Sequence, residues 1–241
     1  MKRIVVKTGS HVLSDQNRLA RERIANLTEF LAELHEVYEV IFVSSGAVAA
    51  GYSKLKIDKS ILANRQAIAA VGQPYLMSVY QKKFEKSGIL TAQVLLTADD
   101  FDSRRRTHHA KCAVNTLLEN GVIPIINEND VTATEELVFG DNDQLSARVA
   151  YYFDADMLVI LSDIDGYYDS DPHHNSEAKC YAKVSRISDE ALQIPDNPNH
   201  KFATGGIATK LKAAKFLLEH DREMFMTSGF DLRDARNFLL E

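Results

Sequence analysis

Val122-Ile123-Pro124-Ile125-Ile126-Asn127-Glu128-Asn129-Asp130 is an apolar run that ends abruptly in amides and carboxylates, and Gly140-Asp141-Asn142-Asp143 follows past one short connection. A short β-branched run closed by polar residues reads as a buried strand whose carboxyl end opens on a ligand site. Carboxylates gathered this closely repel one another unless a cation answers them. The candidates are an ammonium substrate, a metal ion and the chain's own lysines. Lys7 and Lys210 each sit beside a glycine turn of the phosphate-cradling kind. An acidic cluster with two glycine-lysine turns points to phosphoryl transfer.

Outward from this stretch the chain alternates short β-branched runs with longer helical patterns. Arg3 to Val6 is followed by a helical pattern from Leu19 to Leu34, with Ile24, Leu27, Leu31 and Leu34 on one face, and then by Val40 to Val43. A helix over Ile61 to Phe84, a strand over Thr91 to Leu96, a helix from about Asp102 to Leu118, the quoted strand, a helix from Gln144 to Tyr152 and a strand over Met157 to Leu161 continue the rhythm. This pattern predicts an α/β fold, a mostly parallel central sheet covered by helices on both faces, with ligands outside the carboxyl ends of the strands. Asp169 to His200 has turn residues and weak periodicity and reads as a surface excursion.

Bulk composition excludes several classes. The chain has 241 residues, 45% hydrophobic and 26% charged, which is ordinary for a soluble globular protein. A formal charge of -6 and a pI near 5.8 argue against nucleic-acid binding, which favours a basic face. Arg104-Arg105-Arg106 reads as the start of a surface helix capped by Asp102 or Ser103, in preference to an RNA patch. Cys112 and Cys180 have no CxxC or Cys/His metal spacing, so a reducing, cytoplasmic compartment is expected. No apolar run approaches the ~20 residues of a membrane span, and no signal-peptide core is apparent.

The polar strand ends supply the candidate site. Lys7-Thr8-Gly9-Ser10 lets backbone N–H groups approach phosphate oxygens while Lys7 adds charge, although the spacing fits neither a Walker loop nor a dinucleotide turn. Ser44-Ser45-Gly46-Ala47 offers hydroxyls and N–H groups at a helix start, suited to a carboxylate or to simple capping. Asp130 and Asn142 suit a substrate ammonium, while Asp143 is better placed to bridge lysines or a magnesium site. Ser162-Asp163, near Gly166 and Tyr167, has the look of a nucleotide-side loop, with an Asx turn as the alternative. Thr204-Gly205-Gly206-Ile207-Ala208-Thr209-Lys210 leads into a helix with its lysine one turn inside, a helix start built for anions. His108, His109, His173 and His174 are expected to be exposed.

With Val71-Gly72-Gln73, Leu95-Leu96-Thr97 and Asp171-Pro172 added, this set of motifs resembles the amino acid kinase family almost end to end, and within it the branch acting on free L-glutamate. The resemblance implies a three-layer αβα sandwich forming a single kinase domain over residues 1–241, with the amino-acid site in its N-terminal part and the ATP site in its C-terminal part. It implies ATP-dependent phosphorylation of the γ-carboxylate of L-glutamate to L-glutamyl 5-phosphate, the opening step of proline biosynthesis. By matching position, Lys7 and Lys210 would act on the transferring phosphoryl group and Asp143 would organise them. Ser45, Asp130 and Asn142 would hold glutamate. Lys7, Ser162, Asp163, Thr204, Gly205, Gly206, Ile207, Ala208, Thr209 and Lys210 would contact ATP, with Mg2+ bridging its phosphates and no protein metal ligands assigned. A homo-oligomer, feedback by proline and a transient partnership with γ-glutamyl phosphate reductase (glutamate-5-semialdehyde dehydrogenase) are implied in the same way. Many relatives carry a C-terminal PUA domain, and this chain is expected to lack it. Ser10-His11, Tyr167 and His220 depart from the usual pattern. The alternatives are a relative acting on N-acetylglutamate, whose acetylated amine carries no ammonium for Asp130 to meet, or on aspartate, and a nucleotide-binding sensor without catalysis.

Overall fold

The computed structural model describes residues 1–16, 18–133, 142–169, 175, 177–193 and 206–241. In chain order its elements are β1 (Lys2–Thr8), α1 (Ser10–Leu13), β2 (Ser14–Asp15), β3 (Arg18–Leu19), α2 (Arg21–His35), β4 (Tyr38–Ser44), α3 (Ala47–Tyr52), α4 (Leu62–Phe84), β5 (Thr91–Leu96), α5 (Ala98–Asp102), α6 (Arg104–Glu119), β6 (Ile123–Glu128), α7 (Asn142–Tyr152), β7 (Met157–Ser162), α8 (Ile207–Leu218), β8 (Glu223–Ser228) and α9 (Arg233–Leu240). Short 3-10 turns cover Glu85–Ser87 and Glu190–Gln193. The β2–β3 pair is a separate antiparallel hairpin.

Six strands form one sheet in the order β5-β6-β4-β1-β7-β8, and every pairing in it is parallel. The chain builds outward from β1 on one side through β4, β5 and β6, then crosses to build β7 and β8 on the other. That reversal puts the switch point of the topology at the carboxyl ends of β4, β1 and β7, where open α/β sheets collect ligands.

The two-residue period of the strands then decides which face each polar end joins. Ile4, Val6, Val40, Phe42, Ile123, Ile125, Val159 and Leu161 pack with α2, α4 and α9, whereas Val5, Ile41, Val43, Ile126, Leu158 and Ile160 pack with α6, α7 and α8. Lys7 follows Val5 onto the α7–α8 face. Ser44 and Asn127 follow Phe42 and Ile125 onto the α4 face, and Phe42 meets Tyr80 of α4 edge to face, with centroids 5.4 Å apart.

A close crossing fixes α3 against α4. A Cβ added to Gly72 would lie 1.8 Å from the Ala47 carbonyl oxygen, and one added to Gly51 would lie 1.8 Å from that of Ile68. Only residues without a side chain permit this backbone contact. It seats α3, and with it the Ser45-Gly46 turn; Gly46 itself has φ +104°.

The sequence reading differs in three places. The helix expected from about Asp102 to Leu118 is α6, capped by Ser103, whose hydroxyl accepts from Arg106 N at 3.4 Å, but the short helix α5 that precedes it was not expected. The edge strand β8 and helix α9 were not anticipated; β8 is only partly buried and its pattern is correspondingly weak. The segment Leu19 to Leu34 begins as strand β3 before α2. His108 and His109 are exposed, as expected, while His173 and His174 lie outside the described residues.

Candidate active site

Asp143 stands in the first turn of α7 with its side chain fully buried. Lys7 Nζ approaches its Oδ1 at 2.6 Å from the end of β1, and Lys210 Nζ approaches its Oδ2 at 3.3 Å from the first turn of α8. The Thr209 hydroxyl donates to the same Oδ2 at 2.9 Å. The Gln144 amide donates to Thr209 O at 3.1 Å, tying α7 to α8. Two ammonium groups on one carboxylate leave a net positive charge in a place shielded from water, which suits an incoming anion. Gly9 stands beside it: a Cβ there would sit 3.6 Å from Lys7 Nζ.

Next to this cluster, Asn142 Nδ2 reaches Ser45 Oγ at 2.9 Å, Asn127 Oδ1 at 2.9 Å and the Ser44 carbonyl oxygen at 3.2 Å. Ser45 N is held by Thr8 O at 3.2 Å, so the ends of β1 and β4 are joined beyond their last paired residues. The Ser45 hydroxyl makes no capping bond to α3, whose N-cap is Gly46. Ser44 turns the other way, sharing a 2.7 Å hydrogen bond with the buried Tyr80 hydroxyl, and burial raises the Tyr80 pKa far above the usual phenol range.

Asp130 stands apart from this network. It lies beyond the end of β6, partly buried, and desolvation pushes its carboxyl up to about 6, with the charge of Arg65 on α4 pulling it partway back. On the opposite side, at the end of β7, the Asp163 carboxyl is held well below the usual range. The largest cause is the hydrogen bond to His11 Nδ1 at 2.9 Å; the Ser162 hydroxyl at 3.0 Å and the charge of Lys210 add to it, and burial opposes. Asp163 therefore stays ionised.

The structure thus brings Lys7, Asp143, Thr209 and Lys210 into one buried cluster, sets Ser45 and Asn142 beside it, and places Asp163, hydrogen-bonded to Ser162, within the field of Lys210. Gly206, Ile207 and Ala208 open α8 alongside. Thr204 and Gly205, the Gly140-Asp141 half of the second acidic motif, and Asp171-Pro172 lie outside the described residues. Sequence reasoning gave no role to His11, Asn127 or Gln73. Asn127 and Gln73 sit inside quoted motifs, so the signal was present, but nothing in the spacing said that their amides meet.

The chain belongs to the amino acid kinase family, whose sequence model matches residues 2–228. The UMP kinase of Bacillus anthracis has the same fold at 17% sequence identity, with a TM-score of 0.65 over 99% of this chain and 92% of that one. Its nearer kin are more specific. The glutamate 5-kinase of Leishmania donovani is 55% identical over 240 residues, covering 100% of this chain and 91% of that protein. The glutamate 5-kinase of Wolinella succinogenes is 54% identical over 246 residues, covering 100% of this chain and 94% of that protein.

Proposed function

We propose that this protein transfers the terminal phosphoryl group of ATP to the γ-carboxylate of L-glutamate, forming L-glutamyl 5-phosphate and opening proline biosynthesis. The observation that carries the reading is the convergence of Lys7 and Lys210 on one buried carboxylate, Asp143, next to Asn142 and Ser45. Kinship with glutamate 5-kinases at 55% and 54% identity supports the choice of acceptor.

A γ-carboxylate with a reference pKa of about 4.3 is ionised at neutral pH, so the nucleophile requires no general base. The obstacle is repulsion. Two unit charges about 4 Å apart at an effective dielectric of ~20 cost about 4 kcal/mol, which cations must offset. In this reading Lys7 and Lys210 neutralise the charge that spreads over the transferring group, and Asp143 keeps the two ammonium groups from repelling each other out of position. Ser45, Asn142 and Asp130 hold the amino acid, Asp130 meeting its ammonium. Ser162, Asp163 and the segment from Thr204 through Lys210 hold the nucleotide.

Among the described residues no group of three or more His, Cys, Asp or Glu side chains could hold a metal ion. We assign the Mg2+ to the nucleotide, whose phosphate charge it would neutralise when bound. The single domain over residues 1–241, the cytoplasmic setting and assembly as a homo-oligomer belong to the same proposal. So does hand-over to γ-glutamyl phosphate reductase, since an acyl phosphate hydrolyses readily.

The test is to incubate the protein with ATP and Mg2+, add L-glutamate, N-acetyl-L-glutamate or L-aspartate in turn, and trap acyl phosphate with hydroxylamine. Hydroxamate from glutamate alone is expected. Hydroxamate from N-acetylglutamate or aspartate in its place, or from none of the three, refutes the proposal.

A further inference from the structure

The carbonyl oxygen of Ser44, 3.2 Å from Asn142 Nδ2, can only accept a hydrogen bond. It therefore fixes the Asn142 amide with its nitrogen toward β4 and its Oδ1 turned away. The orientation is passed on through side-chain amides. Asn142 Nδ2 donates to Asn127 Oδ1 at 2.9 Å, Asn127 Nδ2 donates to Gln73 Oε1 at 2.9 Å, and Gln73 Nε2 donates to Gln93 Oε1 at 3.2 Å. The row crosses from α7 through β6 and α4 to the edge strand β5. Asn142, Asn127 and Gln73 are buried, and Gln93 is exposed.

We propose that Gln73 is a positioning residue for the α-ammonium of the substrate, acting through Asn127 and Asn142: the row of amides holds Asn142 so that it presents its carbonyl oxygen, not its NH2, to the amino acid. This rests on the glutamate reading above. An ammonium carries donors only, so an acceptor must face it, and an Asn142 turned over would meet it with N–H groups. Asn142 Nδ2 has two hydrogens for three nearby acceptors, so Ser44 alone holds it loosely; the Asn127 oxygen completes the set. Asn127 in turn keeps its oxygen toward Asn142 because its nitrogen has a buried acceptor in Gln73 Oε1. Removing that acceptor leaves a buried N–H group without a partner and lowers the cost of turning both asparagines.

The experiment compares wild type, Gln73→Met and Gln73→Glu. It measures KM for glutamate and for ATP, and the inhibition constant of glutarate, which has both carboxylates of glutamate and no ammonium. Gln73→Met keeps the length of the side chain and loses its acceptor; Gln73→Glu keeps an oxygen for Asn127. Gln73→Met is expected to raise the glutamate KM about tenfold, with the ATP KM and the glutarate constant within about twofold of wild type, and Gln73→Glu to restore most of the glutamate KM. An unchanged glutamate KM in an active Gln73→Met protein overturns the proposal, as does an equal loss for glutamate and glutarate. Wild type inert toward glutamate refutes the functional reading itself, and the proposal with it. Where Gln73→Met does not fold, the exposed end serves. Gln93→Lys sets a donor against Gln73 Nε2 and is expected to raise the glutamate KM several-fold while Gln93→Glu does not; equal values in the two overturn the proposal.

Discussion

Lys7 Nζ lies 2.6 Å from Asp143 Oδ1, and neither side chain has more than a trace of exposure. A lysine so deep in the protein is tolerated because its partner is ionised and because Lys210 shares that partner from the other side. Asp143→Asn keeps the shape and removes the charge, leaving two buried ammonium groups facing each other. The expected result is a loss of about 3–5 kcal/mol in stability, as when one member of a buried ion pair is deleted, with turnover down at least a hundredfold. Chemical denaturation and steady-state rates check it; near-normal turnover would remove Asp143 from the reaction.

Lys210 makes the longer contact with Asp143, 3.3 Å, and its charge also reaches Asp163. It is therefore placed to move with charge on the nucleotide side of the cluster. Lys210→Met is expected to lower kcat by about a hundred- to a thousandfold while leaving the glutamate KM within a few-fold, because stabilisation that grows in the transition state appears in kcat. A variant with a raised glutamate KM and intact kcat would assign Lys210 to ground-state binding instead.

The fold could be read from the sequence wherever strands are buried on both faces. Val40 to Val43, Val122 to Ile126 and Met157 to Leu161 are continuous apolar runs because helices cover both sides, and each was located within a residue or two. β8 is harder to read because its residues, Glu223-Met224-Phe225-Met226-Thr227-Ser228, are mostly half-buried and include a single β-branched side chain, whereas the other edge strand, β5, is legible as Thr91 to Leu96. In the site, lysines beside glycines and carboxylates at strand ends carry their chemistry in their identity, so Lys7, Asp143 and Lys210 could be named in advance. Gln73 could not. Its partner Asn127 is 54 residues away, and only the packing of α4 on the sheet brings the two amides together.

The α3–α4 crossing makes a prediction of its own. Gly72→Ala puts a methyl group where the Ala47 carbonyl oxygen already sits, and a backbone cannot step aside as a side-chain tip can. The helices must separate, at a cost of about 1–3 kcal/mol or more for overpacking. The Ser45-Gly46 turn moves with α3, so the glutamate KM should rise while the ATP KM holds. Thermal denaturation combined with the two KM values tests this; a Gly72→Ala protein of unchanged stability would show that the crossing is looser than described.

Asp130 gives the site a dependence on pH whose sign can be worked out. Burial raises its carboxyl from 3.8 to about 6, against the pull of Arg65. The folded protein therefore holds this proton over a range in which the unfolded chain has released it, so Asp130 favours folding below the unfolded value. That contribution is lost as pH rises from about 4 through about 6. Binding runs the opposite way under the proposed assignment of Asp130 to the substrate ammonium: pairing needs the ionised form, so affinity for glutamate should fall as pH drops below about 6. The substrate's own γ-carboxylate titrates too low, near ~4.3, to produce that limb. The profile of kcat/KM for glutamate should bend near pH 6 in wild type, bend at a higher pH in Arg65→Met, which removes the opposing charge, and lose the bend in Asp130→Asn. An Asp130→Asn profile that keeps the bend would place its source on another group.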